Sequence, residues 1–245
     1  MRWYPVFYKE MLLFKKKIFK FGYVFSSVLF PMLYLLAFGL GLGRKVDIGD
    51  GDYITFLLPG VIAMTSMLNS YNLVSNSLSM GRLYFKSFQV IVQSPVPHFS
   101  IMTGIVLSGM VRGLVASVII ILAGLFIFNI FPLTGVSFLG LILNVMLFSS
   151  MGVVVGMFIK NPEDNAVYTN FFIMPMAFFS GTFFPIDGLP TAVKSIIMLL
   201  PLSYTNILMR SSGLDSMAIL SIIVLLAFSI AMFLYGARLI KNYSE

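Results

Sequence analysis

Side chains that carry covalent or metal chemistry are almost missing from this sequence. Its 245 residues hold no cysteine and a single histidine, His98. Disulfides, thiolate metal sites and cysteine nucleophiles are excluded, and neither a two-histidine zinc site nor a Ser-His-Asp triad finds support. No G-x-x-x-x-G-K-[ST] loop is present to cradle a phosphate, and no lysine follows a glycine. There is no G-x-S-x-G nucleophile elbow and no H-E-x-x-H helix. His98 falls in a loop, so an intramembrane Ser-His protease fails as well. The chemistry left is recognition by hydrogen bonds, aromatic rings and isolated charges.

Three groups of residues offer it. Thr65, Asn69, Asn72 and Asn76 recur at helical spacing, broadened by Ser66, Ser70 and Ser77. Such a stripe either hydrogen-bonds neighbouring helices or lines a hydrated path. Phe178, Phe179 and Phe183, with Phe171, Phe172 and Phe184, gather in a second segment. Aromatic walls with a few amides suit an amphiphile, so Asn69, Asn72, Asn76, Phe178, Phe179 and Phe183 are the candidate substrate path. Arg112 is the one charge inside an apolar run. It either pairs helix-end carbonyls at the inner surface or serves function. No Asp or Glu lies in the interior of any apolar run, which disfavours ion-coupled carriers and small-ion pores.

These residues stand on elements dictated by composition. Hydrophobic residues make up 59% of the chain and charged ones 10%, against about 45–50% and about 25% in soluble domains. Six runs reach the roughly 20 residues of a membrane-crossing helix: 23–43, 54–75, 101–130, 136–159, 167–184 and 216–235. Residues 4–20 differ. Phe7, Met11, Phe14 and Ile18 share one face, with Lys9, Glu10, Lys16, Lys17 and Lys20 opposite, predicting an amphipathic helix in the membrane interface, its lysines meeting anionic lipid. The +7 net charge sits in short loops and points to membrane topology, with no nucleic acid as partner. With an inner N-terminus, Arg2, Lys9, Lys15, Lys16, Lys17, Lys20, Arg82, Lys86, Lys160, Arg238 and Lys241 lie inside. Only Arg44, Lys45, Lys194 and Arg210 lie outside. Both termini are therefore expected in the cytoplasm. The fold class is an all-α, multi-pass membrane protein forming one domain over residues 1–245.

Small residues at Gly39-x-x-x-Gly43, Gly109-x-x-x-Gly113-x-x-x-Ser117 and Gly152-x-x-x-Gly156 predict close helix contacts, and Pro31 and Pro175 predict bends. Residues 82–97 alternate charge and aromatics and close on Ser94-Pro95-Val96-Pro97, predicting a short cytoplasmic helix ended by a rigid turn. Residues 185–205 break at Pro185, turn through Asp187-Gly188 and restart as a helix near 191–200. That helix is too short to cross, which predicts a re-entrant element in the outer leaflet.

In these segments the sequence resembles the type-2 ABC export permeases. These are the membrane subunits of drug-resistance, nodulation-factor and O-antigen or teichoic-acid exporters. The likeness covers most of the chain and rests on Leu57-Leu58-Pro59-Gly60, the Ser94-Pro95-Val96-Pro97 loop, Phe179-Ser180-Gly181-Thr182-Phe183-Phe184-Pro185, Leu189-Pro190 and Leu200-Pro201-Leu202. It implies an inner or plasma membrane exporter built from two paired six-span subunits, homodimer or heterodimer, and two separate ATPase subunits. ATP and Mg would bind the partner ATPase, with no cofactor on this chain and no enzyme activity of its own. The coupling segment would be Lys86, Phe88, Val90, Ile91 and Ser94. Lys86 departs from the family, whose loop often carries an acidic residue nearby, so the docking charges here would differ. The other reading is a channel-like or accessory membrane protein without ATP coupling.

Overall fold

The computed structural model describes residues 2–18, 21–42, 52–186 and 188–243. Lys20 of the amphipathic segment, Gly43 of the first small-residue pair, the outer charges Arg44 and Lys45, and Asp187 of the turn lie outside the described residues.

Every regular element among the described residues is helical. In chain order they are α1 (Tyr4–Ile18), α2 (Phe21–Leu42), α3 (Tyr53–Leu83), α4 (Ser87–Gln93), α5 (His98–Phe128), α6 (Gly135–Phe158) and α7 (Asp164–Tyr168). A π-helical turn at Thr169–Ile173 leads into α8 (Met174–Phe179). The chain ends with α9 (Thr191–Ile197), α10 (Pro201–Arg210) and α11 (Ser216–Lys241). Apolar segments with no water to solvate their backbones must satisfy every N–H and C=O internally, and the helix does this within one segment. Four helices, α3, α5, α6 and α11, are long and apolar enough to cross a membrane; α9 and α10, meeting at 96°, make five if taken as one broken span.

The core is α3 packed between α5 and α6. Glycines make the close approach possible. A Cβ on Gly109 would lie 2.4 Å from Val74 Cγ2, and one on Gly152 would lie 2.8 Å from the Tyr71 carbonyl oxygen. Both small-residue patterns thus face α3, where backbones meet. On the outside of the bundle, Ile219, Ile223, Ile230 and Leu234 of α11 are exposed. An unpartnered apolar stripe of this kind suits lipid.

Three expectations are corrected. The helical pieces of the run 167–184 cover 164–179 and stop at Phe179, five residues short of its expected end and just before Gly181 with φ +72°. A π turn precedes Pro175 there, because the proline ring removes an N–H and crowds the carbonyl one turn back. Glu10 does not join the polar face of α1. It is 6% exposed and aligned with buried Val6 and Phe14, turned inward by the charge of Arg112. The helix after Leu200 runs to Arg210, past the expected end of the outer element at 205.

Candidate functional site

At one end of the bundle α4 forms a ledge between the two 31-residue helices α3 and α5. The chain leaves α3 through Tyr84 and Phe85, whose N–H groups both donate to the Met80 carbonyl (3.0 and 2.9 Å). Lys86 then adopts a left-handed conformation, φ 55°, uncommon for a residue with a Cβ. It turns the chain sharply into α4. Ser94 closes α4 by donating its hydroxyl to the Ile91 carbonyl, 2.5 Å. Pro95 and Pro97 follow, holding the preceding residues extended before α5 begins.

The five residues expected to form a coupling segment do not share a face. Lys86 and Val90 are exposed, Ile91 and Ser94 half-buried, and Phe88 is 2% exposed. Phe88 was expected on the contact surface; instead it packs with Val74, Leu78, Ile101 and Ile105 and meets the Tyr243 ring edge-on at 5.3 Å. Its apolar ring serves the chain's own core. The side chains presented outward are Tyr84 (74% exposed), Phe85 (68%) and Val90 (68%). Gln89 fastens the ledge by donating to the Arg82 carbonyl (2.9 Å) and the Tyr243 hydroxyl (3.2 Å). Arg82 in turn donates to the Ile159 carbonyl at the end of α6. One short helix is thus tied to α3, α6 and the end of α11.

Arg112 lies two helical turns deeper than Gly104 on α5 and is 3% exposed. Its Nη2 donates to Glu10 Oε2 (2.9 Å) and to the Glu10 carbonyl (2.7 Å), and Nη1 donates to the Leu73 carbonyl (3.3 Å). The guanidinium sits over the Phe14 ring, 5.6 Å from its centre. Ser77 donates to the same carboxylate oxygen at 2.8 Å. Burial alone would raise the Glu10 pKa, but Arg112, Lys9 and Ser77 together outweigh it and hold the carboxyl below its ordinary value. Of the two roles the sequence left open for Arg112, the structure shows bonds to two backbone carbonyls together with an ion pair, which tie α1 to α3 and α5.

The proposed path residues are divided. Asn69 donates to the Thr65 carbonyl of its own helix (2.9 Å). Asn72 accepts from Thr169 in the π turn (3.1 Å), and Asn76 is exposed. Phe178 and Phe183 stack on each other at 5.4 Å and meet Tyr34 of α2. Phe179 points outward, 59% exposed. It borders two open apolar troughs of about 520 and 560 Å³. Neither trough includes Asn69, Asn72 or Asn76.

Three buried amides escaped the sequence reading, among them Asn165 of α7, which accepts from Ser75 of α3 (2.6 Å). Asn144 of α6 donates to the Ala63 carbonyl (3.0 Å) and Ser66 Oγ (2.7 Å), and accepts from Thr205 (2.9 Å). Asn206 of α10 donates to the Ser180 carbonyl (2.8 Å) and Thr182 Oγ1 (3.1 Å). The signal was there for Asn144 and Asn206: a lone amide in an apolar helix must find partners.

Comparison with known proteins agrees with this architecture. Residues 7–214 match the sequence profile of the ABC-2 type transporter family. The chain is 28% identical over 197 residues to the inner membrane transport permease YadH of Escherichia coli strain K12, covering 77% of this chain and 76% of that protein. It is 27% identical over 258 residues to nodulation protein J of Rhizobium leguminosarum bv. viciae, covering 99% and 95%. It is 26% identical over 227 residues to nodulation protein J of Rhizobium meliloti strain 1021, covering 87% and 82%.

Proposed function

This chain belongs to the ABC-2 type transporter family, and from that premise we propose that it is the permease subunit of an ATP-driven exporter of amphiphilic molecules. It sits in the inner membrane with six crossings, α2 and the broken helix 164–179 completing the set, and with both termini in the cytoplasm. A drug, a lipid or a lipid-linked glycan moves outward along the seam between this permease and a second one. ATP and Mg bind two separate ATPase subunits.

The observation that carries the reading is the ledge at α4. Its exposed Tyr84, Phe85 and Val90, the two rings meeting edge-on at 5.2 Å, are apolar and aromatic side chains of the kind that anchor protein interfaces. Its inner side is tied to three long helices. A push on the ledge therefore reaches α3, α6 and α11 together. The divided path supports a paired permease, since the amides of α3 and the rings near α8 need a second chain to enclose one channel. The re-entrant reading of α9 and α10 draws support from their 96° bend and the burial of Leu202, Thr205, Asn206 and Leu208.

Copurification tests this directly. An ATPase subunit should copurify with the chain and hydrolyse ATP faster when a transported amphiphile is added. Absence of any ATPase partner in a functioning exporter would overturn it.

A further inference from the structure

A cavity of about 720 Å³ opens at the end of the bundle opposite α4, beside Phe56, Ser180, Asn206, Arg210 and Met217. Arg210 is the group that gives it chemistry. Its Nε, Nη1 and Nη2 donate to the carbonyls of Phe56 (3.2 Å), Gly181 (2.9 Å) and Thr182 (3.1 Å). Its plane lies on the Phe56 ring, 3.7 Å from the centre. The fit is tight: a Cβ on Gly60 would lie 2.8 Å from Nη2, so the glycine of Leu57-Leu58-Pro59-Gly60 leaves room for this guanidinium. Those bonds use three of the five N–H donors of an arginine and leave two.

The charge itself is unanswered. Arg210 makes no ion pair with a carboxylate among the described residues, and Asp215 in the cavity wall is engaged in capping α11 through the Ala218 N–H, 2.8 Å. Half-buried charges outside water are normally neutralised by a counter-charge. Buried Ser180 Oγ and Asn206 Oδ1, in residues of the same wall, also have no hydrogen-bond partner. Ile186, Met198, Ile207, Leu214 and Met217 give the wall its apolar part, beside Lys194, Ser203, Ser211 and Ser212.

We propose that this cavity binds a phosphate-bearing amphiphile, its phosphate on Arg210 and its apolar part along the methionine and isoleucine wall. An anion supplies the missing counter-charge and accepts the two remaining N–H groups in the forked geometry that arginine favours. The site stands apart from the ledge and does not depend on ATP coupling.

Thermal unfolding of the purified chain in detergent tests it, with phosphatidylglycerol, phosphatidylcholine or glycerol 3-phosphate added. Phosphatidylglycerol should raise the wild-type Tm by about 5 °C at saturation, and phosphatidylcholine should do far less. Glycerol 3-phosphate alone giving the rise would assign the site to the phosphate group; a rise with the lipid only would assign it to the whole amphiphile. Arg210→Gln removes the charge. Ser212→Trp fills the mouth and leaves the Arg210 bonds in place, since Ser212 is exposed there. Both variants should lose most of the phosphatidylglycerol response. Equal responses to the two lipids, or a wild-type response in Ser212→Trp, would overturn the proposal.

Discussion

Arg112 and Glu10 form the pair on which the placement of α1 depends. Removing one member of a buried ion pair leaves the other charge unanswered and costs about 3–5 kcal/mol. Arg112→Leu should therefore lower the unfolding temperature sharply, whereas Glu10→Leu combined with Arg112→Leu should recover much of the loss. Thermal unfolding of the three variants in detergent checks this. Equal loss in single and double variants would deny the pairing. A pH dependence follows from the same pair. The Glu10 carboxyl titrates below its ordinary value of 4.5, so its contribution is complete above that pH and vanishes as pH falls through the lowered value. Unfolding curves of Glu10→Gln should lack this acid-side loss. At this scale the sequence was partly legible. Arg112 stood out as a lone charge in an apolar run, but Glu10 looked like one more charge on a basic helix face. Periodicity assigns faces by majority, and a single carboxylate drawn inward by a buried cation breaks that rule. Arg210 was hidden in the opposite way, as an ordinary loop cation, because the three carbonyls around it come from Phe56, Gly181 and Thr182.

Helix α4 separates two roles that the sequence merged. Phe88 holds the ledge from within, and Tyr84, Phe85 and Val90 face outward. Phe88→Ala should open a core cavity, destabilise the protein by about 3–5 kcal/mol and weaken coupling only through loss of position. Val90→Asp should leave the unfolding temperature within about 1 °C, since exposed substitutions are nearly neutral, yet abolish binding of the ATPase. A binding assay beside a melting curve distinguishes the two. Near α8, Phe179→Ala should likewise spare folding and assembly but change substrate-stimulated ATPase, whereas Phe183→Ala should destabilise through its lost contacts with Phe38 and Phe178. The spans at α3, α5, α6 and α11 were legible because long apolar runs have one solution in lipid. The helix near 164–179 was not. Hydropathy continues through Phe183 and Phe184, but Pro175, the π turn and the positive φ at Gly181 end the helix sooner.

As a whole, the molecule is a tight three-helix core with an aromatic and apolar ledge at one end and a charged cavity at the other. It carries no phosphate-binding loop, so the purified chain alone should not hydrolyse ATP. The general class was legible from composition alone, and the family from a handful of turns rich in proline and glycine. What composition could not supply was the placement of the path residues, because periodicity along one helix does not say which neighbour each amide or ring will meet. The absence of cysteine makes the central claim accessible to one measurement. A photoactivatable maleimide attached to Val90→Cys, in complex with the ATPase that copurifies with the chain, labels whatever the ledge touches. The account predicts a crosslink between the two subunits from this position and none from Phe126→Cys, an exposed site on α5 far along the helix from α4. Crosslinking to the ATPase from Phe126→Cys and not from Val90→Cys would contradict it.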